Sequence, residues 1–192
     1  MRSRALPGLA GAFLSLLLGA SARAHAADDL LVEAQRQGDS VEVRAHATVA
    51  AAPRLVWAVL TDYEALPRFI PGISRSVVRE KQGSRLVLEQ SGEARFFIFS
   101  FPIDVRLEVT ESPPDWIASR STAGNLRRMY GRYDVAADLA RGTCTLSYEG
   151  LLEPAFALPP IVGIAAMRSL IEEQFTAMVA EIERRAAAPA TK

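Results

Sequence analysis

The chain has 192 residues, of which 49% are apolar, with 22 basic and 22 acidic side chains, two histidines and one cysteine. A formal net charge of zero excludes the basic footprint of a nucleic-acid binder, and a single cysteine excludes an internal disulfide, so stability has to come from an apolar core. No His/Cys spacing suits a metal, no glycine-rich loop suits a phosphate or dinucleotide, and no histidine is placed for a serine triad; no metal, cofactor or catalytic residue is assigned.

In chain order, Arg2 and Arg4 precede an uncharged stretch from Ala5 to Ala22 built on Phe13-Leu14-Ser15-Leu16-Leu17-Leu18, and Ala24-His25-Ala26 follows with small residues where a signal peptidase needs them. Residues 1–26 read as a secretory signal cleaved after about Ala26, which predicts a periplasmic or secreted protein. Pro7, Gly8, Gly11 and Gly19 weigh against the alternative of a retained membrane anchor. Loss of Arg2, Arg4 and Arg23 leaves 19 basic side chains against 22 acidic ones. Residues 27–39 form a polar lead-in, 40–187 one domain, and 188–192 a frayed tail.

Val41, Val43, Ala45, Ala47 and Val49 alternate with Glu42, Arg44, His46 and Thr48, the period of a half-buried strand. Pro53 then opens a short helix around Trp57, and Asp62 is placed to cap a second one that stops before Pro71. Strands follow: "SRSVVRE" and "RLVLEQS" around a Gly83 turn, then "RFFIFSFPIDVRLEVTE" as one long strand. Its residues Phe97, Phe99, Phe101, Ile103, Val105, Leu107 and Val109 share a face, and Pro102 marks a bend or an edge. "WIASRS", "LRRMYGRYDVAA" and "TCTLSYEGLL" complete the strands. From Pro159 or Pro160 a long helix carries Ile164, Met167, Ile171, Phe175, Met178 and Ile182 at spacings of three and four, with Arg168, Glu172, Glu173 and Glu181 facing away.

Seven strands with short connections make an antiparallel sheet whose apolar face needs a cover, and the terminal helix alone is long enough to provide it. The predicted fold is α+β: a curved antiparallel seven-stranded sheet, two short helices after the first strand, and a long C-terminal helix packed across the sheet. One helix cannot fill the concave side, so a gap is expected, with the short helices as its lid.

The stretch "VWAVLTDYEALPRFIPGISRS", with Asp62-Tyr63, Leu66-Pro67, Phe69 and Pro71, and the terminal "LPPIVGIAAMRSLIEEQFTAMVAEIERRA" together resemble the START-like helix-grip superfamily (SRPBCC), in its polyketide cyclase/dehydrase and coenzyme Q-binding START domain branch. The resemblance covers roughly residues 40 to 185. It implies a deep apolar cavity for lipids, isoprenoids, polyketides or similar compounds, in proteins that range from carriers to cyclases.

The expected cavity wall is Phe97, Phe99, Phe101 and Ile103 on the aromatic strand, Met129, Tyr133, Leu146 and Tyr148 on the last two strands, and Met167, Ile171 and Phe175 on the helix. The expected lid is Trp57, Tyr63, Phe69 and Ile70. His46 has the solvent parity of its strand and Cys144 the buried parity of its own. Catalysis would fall to Tyr133, Tyr148, Arg128 and Glu149, each explained as well by packing or solvation. Arg120, Arg127, Arg128 and Arg132 could hold an anionic head group or simply be wet. A proline-rich loop with Phe156, Leu158 and Ile161 could touch a membrane during transfer or plug the helix against the sheet. The expected protein is a monomeric binder or carrier of a hydrophobic small molecule, with a cyclase/dehydratase-type enzyme and a ligand-free interaction module as alternatives.

Overall fold

The computed structural model describes residues 29–96, 99–154 and 160–188. Residues 1–26, read above as a secretory signal, and Phe97, Phe156 and Leu158 lie outside the described residues, and Phe99 and Ile161 are described in their backbone alone. The elements are β1 (Leu31–Gln37), β2 (Ser40–Val49), α1 (Pro53–Leu60), a 3₁₀ turn (Tyr63–Arg68), β3 (Ile73–Gln82), β4 (Arg85–Phe96), β5 (Phe99–Ser112), β6 (Trp116–Gly124), β7 (Leu126–Asp138), β8 (Thr143–Pro154) and α2 (Pro160–Ala187).

All eight strands form one sheet, ordered β1-β2-β8-β7-β6-β5-β4-β3, and every pairing is antiparallel. Eight strands replace the seven expected because the polar lead-in contains β1, which pairs with β2 from Leu31↔His46 to Gln37↔Ser40. As an edge strand it buries only Val32 fully, with Ala34 half-buried, too short an apolar alternation to register in the sequence.

The long aromatic strand is also two strands. β4 and β5 are antiparallel partners with Phe96 opposite Phe99, so the chain reverses between them. The local sequence contains none of the Gly, Pro, Asn or Asp residues that announce a turn, which is why the alternation reads through it. Pro102 lies opposite Glu93, in the part of β5 that precedes its pairing with β6 at Val105. A residue without an N–H donor is tolerated on such an unpaired side.

α1 starts with Pro53 at its first turn and buries Val56, Val59 and Leu60. The second short helix is a 3₁₀ turn with Pro67 inside it, and Asp62 makes no side-chain cap to it. The Asp62 carboxylate is turned instead toward Arg185 of α2. α2 has 28 residues, roughly 42 Å at 1.5 Å per residue, and packs against β1, β2, β4 and α1. Glu181, expected to face away, is buried and held by Arg184 and Arg185.

The core lies between sheet and α2. Val43, Ala47, Val49 and Leu146 of the sheet and Phe175, Val179 and Ile182 of the helix are almost completely buried in one apolar cluster. Leu146 is 0% exposed. Leu146→Ala is expected to cost about 2–5 kcal/mol, the usual range for deleting a well-packed Leu side chain, read from the urea midpoint at unchanged slope.

Candidate functional site

Between the concave face and α2 lies a cavity of about 200 Å³. The sheet contributes Leu88, Ile103, Val105, Leu107, Val109, Ile117, Leu126, Met129 and Leu152, and the helix Met167, Leu170, Ile171, Phe175 and Met178. Leu60 of α1, Tyr63 and Leu66 of the 3₁₀ turn, and Ile70 just after it line it as well. The polar residues divide in two. Gln90, Ser91, Glu93 and Gln174 line the region where Gly72 approaches β4 and α2, while Ser119, Tyr133 and Tyr148 sit among apolar side chains farther along the sheet.

Of the expected wall, Ile103, Met129, Tyr133, Tyr148, Met167, Ile171 and Phe175 line this cavity. Leu146 does not; it is sealed in the packed core. Phe101 is half-buried and lies outside the lining. Tyr63 and Ile70 of the expected lid face the cavity, whereas Trp57 and Phe69 pack against the core elsewhere. Sequence reasoning missed Leu88 and Ile117, which sit on strands read for existence but not for face, and the polar group around Gln90 and Gln174.

The two inner tyrosines are neighbours across β7 and β8, paired in register with ring centroids 4.8 Å apart and planes at 44°. Gly131 and Gly150, also cross-strand partners, make room for Tyr148. A Cβ at Gly150 would meet the Tyr148 hydroxyl at 2.5 Å, and one at Gly131 would meet it at 3.1 Å. The Tyr148 ring thus occupies the space that side chains at both positions would take. Burial pushes the Tyr148 phenol up to about 12 and that of Tyr133 higher still, so both remain neutral donors at ordinary pH.

The remaining candidates point away. Glu149 is exposed and 3.5 Å from Arg44, and His46 is exposed. Arg120 pairs with Glu108, Arg127 and Arg128 with Glu153, and Arg132 with Asp134 while lying over the Trp116 ring at 4.5 Å. Cys144 is buried, its thiol donates to the Ala51 carbonyl at 3.1 Å, and burial raises its pKa. Among the described residues no group of His, Cys, Asp or Glu could hold a metal ion, and no helix is long and apolar enough to cross a membrane.

The lid is tied down at several points. The Tyr63 hydroxyl donates to Glu111 at 2.9 Å, and the other Glu111 oxygen meets Lys81 at 3.3 Å. Glu111 continues the inward parity of β5, a carboxylate where an apolar residue would be expected, which was the available sequence signal for this tie. Arg185 reaches Asp62 at 2.8 Å and Glu181 at 2.7 Å beneath the Phe69 ring, and Gln174 donates to the Pro71 carbonyl at 3.1 Å. At the lid's exit the Glu93 N–H donates to the Gly72 carbonyl at 2.7 Å; a Cβ on Gly92 would stand 1.8 Å from that oxygen, so only glycine permits this approach.

Two outcomes follow from these ties. Tyr63→Phe leaves the buried Glu111, 8% exposed, with Lys81 alone and is expected to cost about 1–3 kcal/mol by urea denaturation. Glu181 is held down at about 2, chiefly by its hydrogen bond from Arg184 and further by Arg185, against 4.5 for an ordinary glutamate. A depressed folded-state value means that this network's stabilisation is complete above 4.5 and is lost as pH falls from there toward 2. Denaturation midpoints measured down that range should fall less steeply in Glu181→Gln than in the parent.

Residues 49–179 match the family model described as polyketide cyclase / dehydrase and lipid transport. No curated protein matches the sequence. Among solved structures, the fold is similar to the Zhui aromatase/cyclase from Streptomyces sp. R1128, with a TM-score of 0.66 and 19% identity over 80% of this chain and 99% of that one. It is similar also to a START superfamily protein from Mycobacterium smegmatis, with a TM-score of 0.64 and 16% identity over 75% and 98% of the two chains. A STAR-related lipid transfer protein from Xanthomonas axonopodis gives a TM-score of 0.64 and 14% identity over 81% and 94%. At these identities the likeness is one of fold. With the model spanning most of the chain, and the eight-stranded sheet gripping one C-terminal helix around an apolar hollow, the protein belongs to the polyketide cyclase / dehydrase and lipid transport family.

Proposed function

We propose that this protein binds a hydrophobic small molecule, a lipid, isoprenoid or compound of similar character, in the cavity between sheet and α2, and serves as its carrier. The observation that carries the reading is the hollow itself. It offers about 200 Å³ lined mainly by apolar side chains, which gain dispersion contacts when an apolar ligand enters. An apolar cavity of about 150 Å³ already takes up benzene, so the volume is sufficient for a short acyl chain or a single ring system.

Carriage is favoured over cyclase or dehydratase chemistry because that chemistry needs a proton acceptor beside the substrate. Glu93 is the one carboxylate among the described lining residues, it lies in the polar group near Gly72, and it pairs with Arg95 at 3.0 Å. The inner tyrosines are held protonated and can orient a substrate without taking its proton. A ligand-free interaction module would have no use for the hollow. The secretory pattern of residues 1–26 supports carriage outside the cytoplasm, in the periplasm or beyond the cell.

Native mass spectrometry of protein recovered from the periplasm, followed by organic extraction, tests both parts. A non-covalent adduct released into the solvent and a chain beginning at Ala27 are the expected results. Met129→Trp, which places a larger side chain in the cavity wall, should abolish the adduct while circular dichroism stays unchanged. Repeated recovery of empty protein that also fails to bind a lipid panel would end the carrier reading, and a chain retaining residues 1–26 would end the export reading.

A further inference from the structure

We infer that the cavity selects an uncharged ligand bearing a ketone or ester carbonyl, held by the hydroxyls of Tyr133 and Tyr148, and that it discriminates against the carboxylate of a free fatty acid. The inference deepens the carrier reading and rests on it.

The hydroxyls are donors without acceptors. Tyr148 is 6% exposed, yet neither it nor Tyr133 has a hydrogen-bond partner among the described residues, and no described polar atom is both fully sealed and unsatisfied. Both hydroxyls therefore keep contact with the cavity space. Of the other hydroxyls lining the cavity, Tyr63 donates to Glu111 and Ser119 donates to the Gly131 carbonyl at 3.3 Å, while Ser91 lies apart in the polar group near Gly72. Gly131 and Gly150 leave the room in which the Tyr148 hydroxyl sits, and the Tyr133 ring packs against that of Tyr148 with centroids 4.8 Å apart. Burial keeps both phenols protonated, hence donating.

The lining also lacks a cation. Among the described residues that form it there is no Lys, Arg or His, and the sequence of residues 97–98 and 155–159 contains no ionisable side chain. Arg120, Arg128 and Arg132, on the same strands as these tyrosines or next to them, are paired with acids outside the cavity. A carboxylate entering this space would lose its hydration and meet no counter-charge, whereas a carbonyl oxygen has two lone pairs for two phenol donors.

The test uses the full chain and displacement of the neutral fluorophore 1-naphthylamine, a single ring system, near pH 8, by four compounds of similar length: methyl octanoate, nonan-2-one, octanoate and nonane. The ester and the ketone should bind about tenfold more tightly than nonane, as expected for one or two modest hydrogen bonds, and octanoate more weakly than either carbonyl compound by at least as much. In the double variant Tyr133→Phe, Tyr148→Phe, the ester should fall to the level of nonane, with nonane and fluorophore affinities unchanged, which also certifies the variant's fold. Octanoate binding as tightly as the ester, or an ester advantage that survives the double substitution, would overturn the selectivity while leaving the carrier reading intact. If fluorophore, ester, ketone and nonane all fail to bind the parent protein, the carrier reading falls and the selectivity with it; should the double variant misfold, the four-compound comparison on the parent decides alone.

Discussion

The apolar stripe of α2 is the constraint on which the rest of the structure depends, because it meets two different surfaces along its length. From Met167 to Met178 it faces the hollow, and at Val179 and Ile182 it is sealed into the core, both residues being almost completely covered. The C-terminal half therefore anchors and the preceding half roofs. A helix that packed closely against the sheet throughout would leave no volume, and one that stood off throughout would not stay in place. On the sheet, Leu146 is sealed in the core and Met129 stands on the cavity wall, the same contrast between packed and hollow regions.

The lid depends on α2 as well. Asp62, Phe69 and Pro71, spread along the lid, are all tied to α2 through Arg185 and Gln174, while Tyr63 is tied to the sheet through Glu111. The 3₁₀ turn has only six residues and carries a proline, so its own hydrogen bonds cannot make it rigid. Its position is set by polar contacts to two separate elements, and the hollow beneath it survives because those contacts, rather than collapse onto the sheet, satisfy its backbone and side chains.

Much of this was legible in the sequence. The strict alternation from Val41 to Val49 and the three-and-four spacing from Met167 to Ile182 are long enough for one period to dominate, and they placed the strand that bears the deepest core and the helix that covers it. The failures have physical causes. β1 carries too few apolar residues to show a period, and the reversal between β4 and β5 occurs in a stretch where every residue is apolar, so periodicity had nothing to register against. The expectation for Leu146 failed for a subtler reason: parity tells which face a residue takes, whereas the boundary between packed core and cavity is set by where the helix diverges. The inner tyrosines were named as wall residues from their pattern, but the cross-strand glycines that seat Tyr148 are visible only when β7 and β8 are set in register.

The sorting of charge across the sheet gives the site its chemical character. Arginines are numerous in this chain, and those on β6 and β7 are paired with acids away from the cavity, while the inward positions of β7 and β8 present phenols. A buried arginine would bind an anionic lipid through a desolvated ion pair, whose removal leaves an uncompensated charge and is correspondingly slow. Neutral hydroxyls offer an acceptor only a modest net gain, since water competes for the same bonds outside. In the proposed carrier, orientation would thereby come with little added affinity, and most of the binding free energy would remain in apolar contact, which varies smoothly as a ligand slides out. A protein that must surrender its cargo is better served by that arrangement than by a tight ionic clasp, which is why the phenol pair fits a carrier more naturally than it fits a trap.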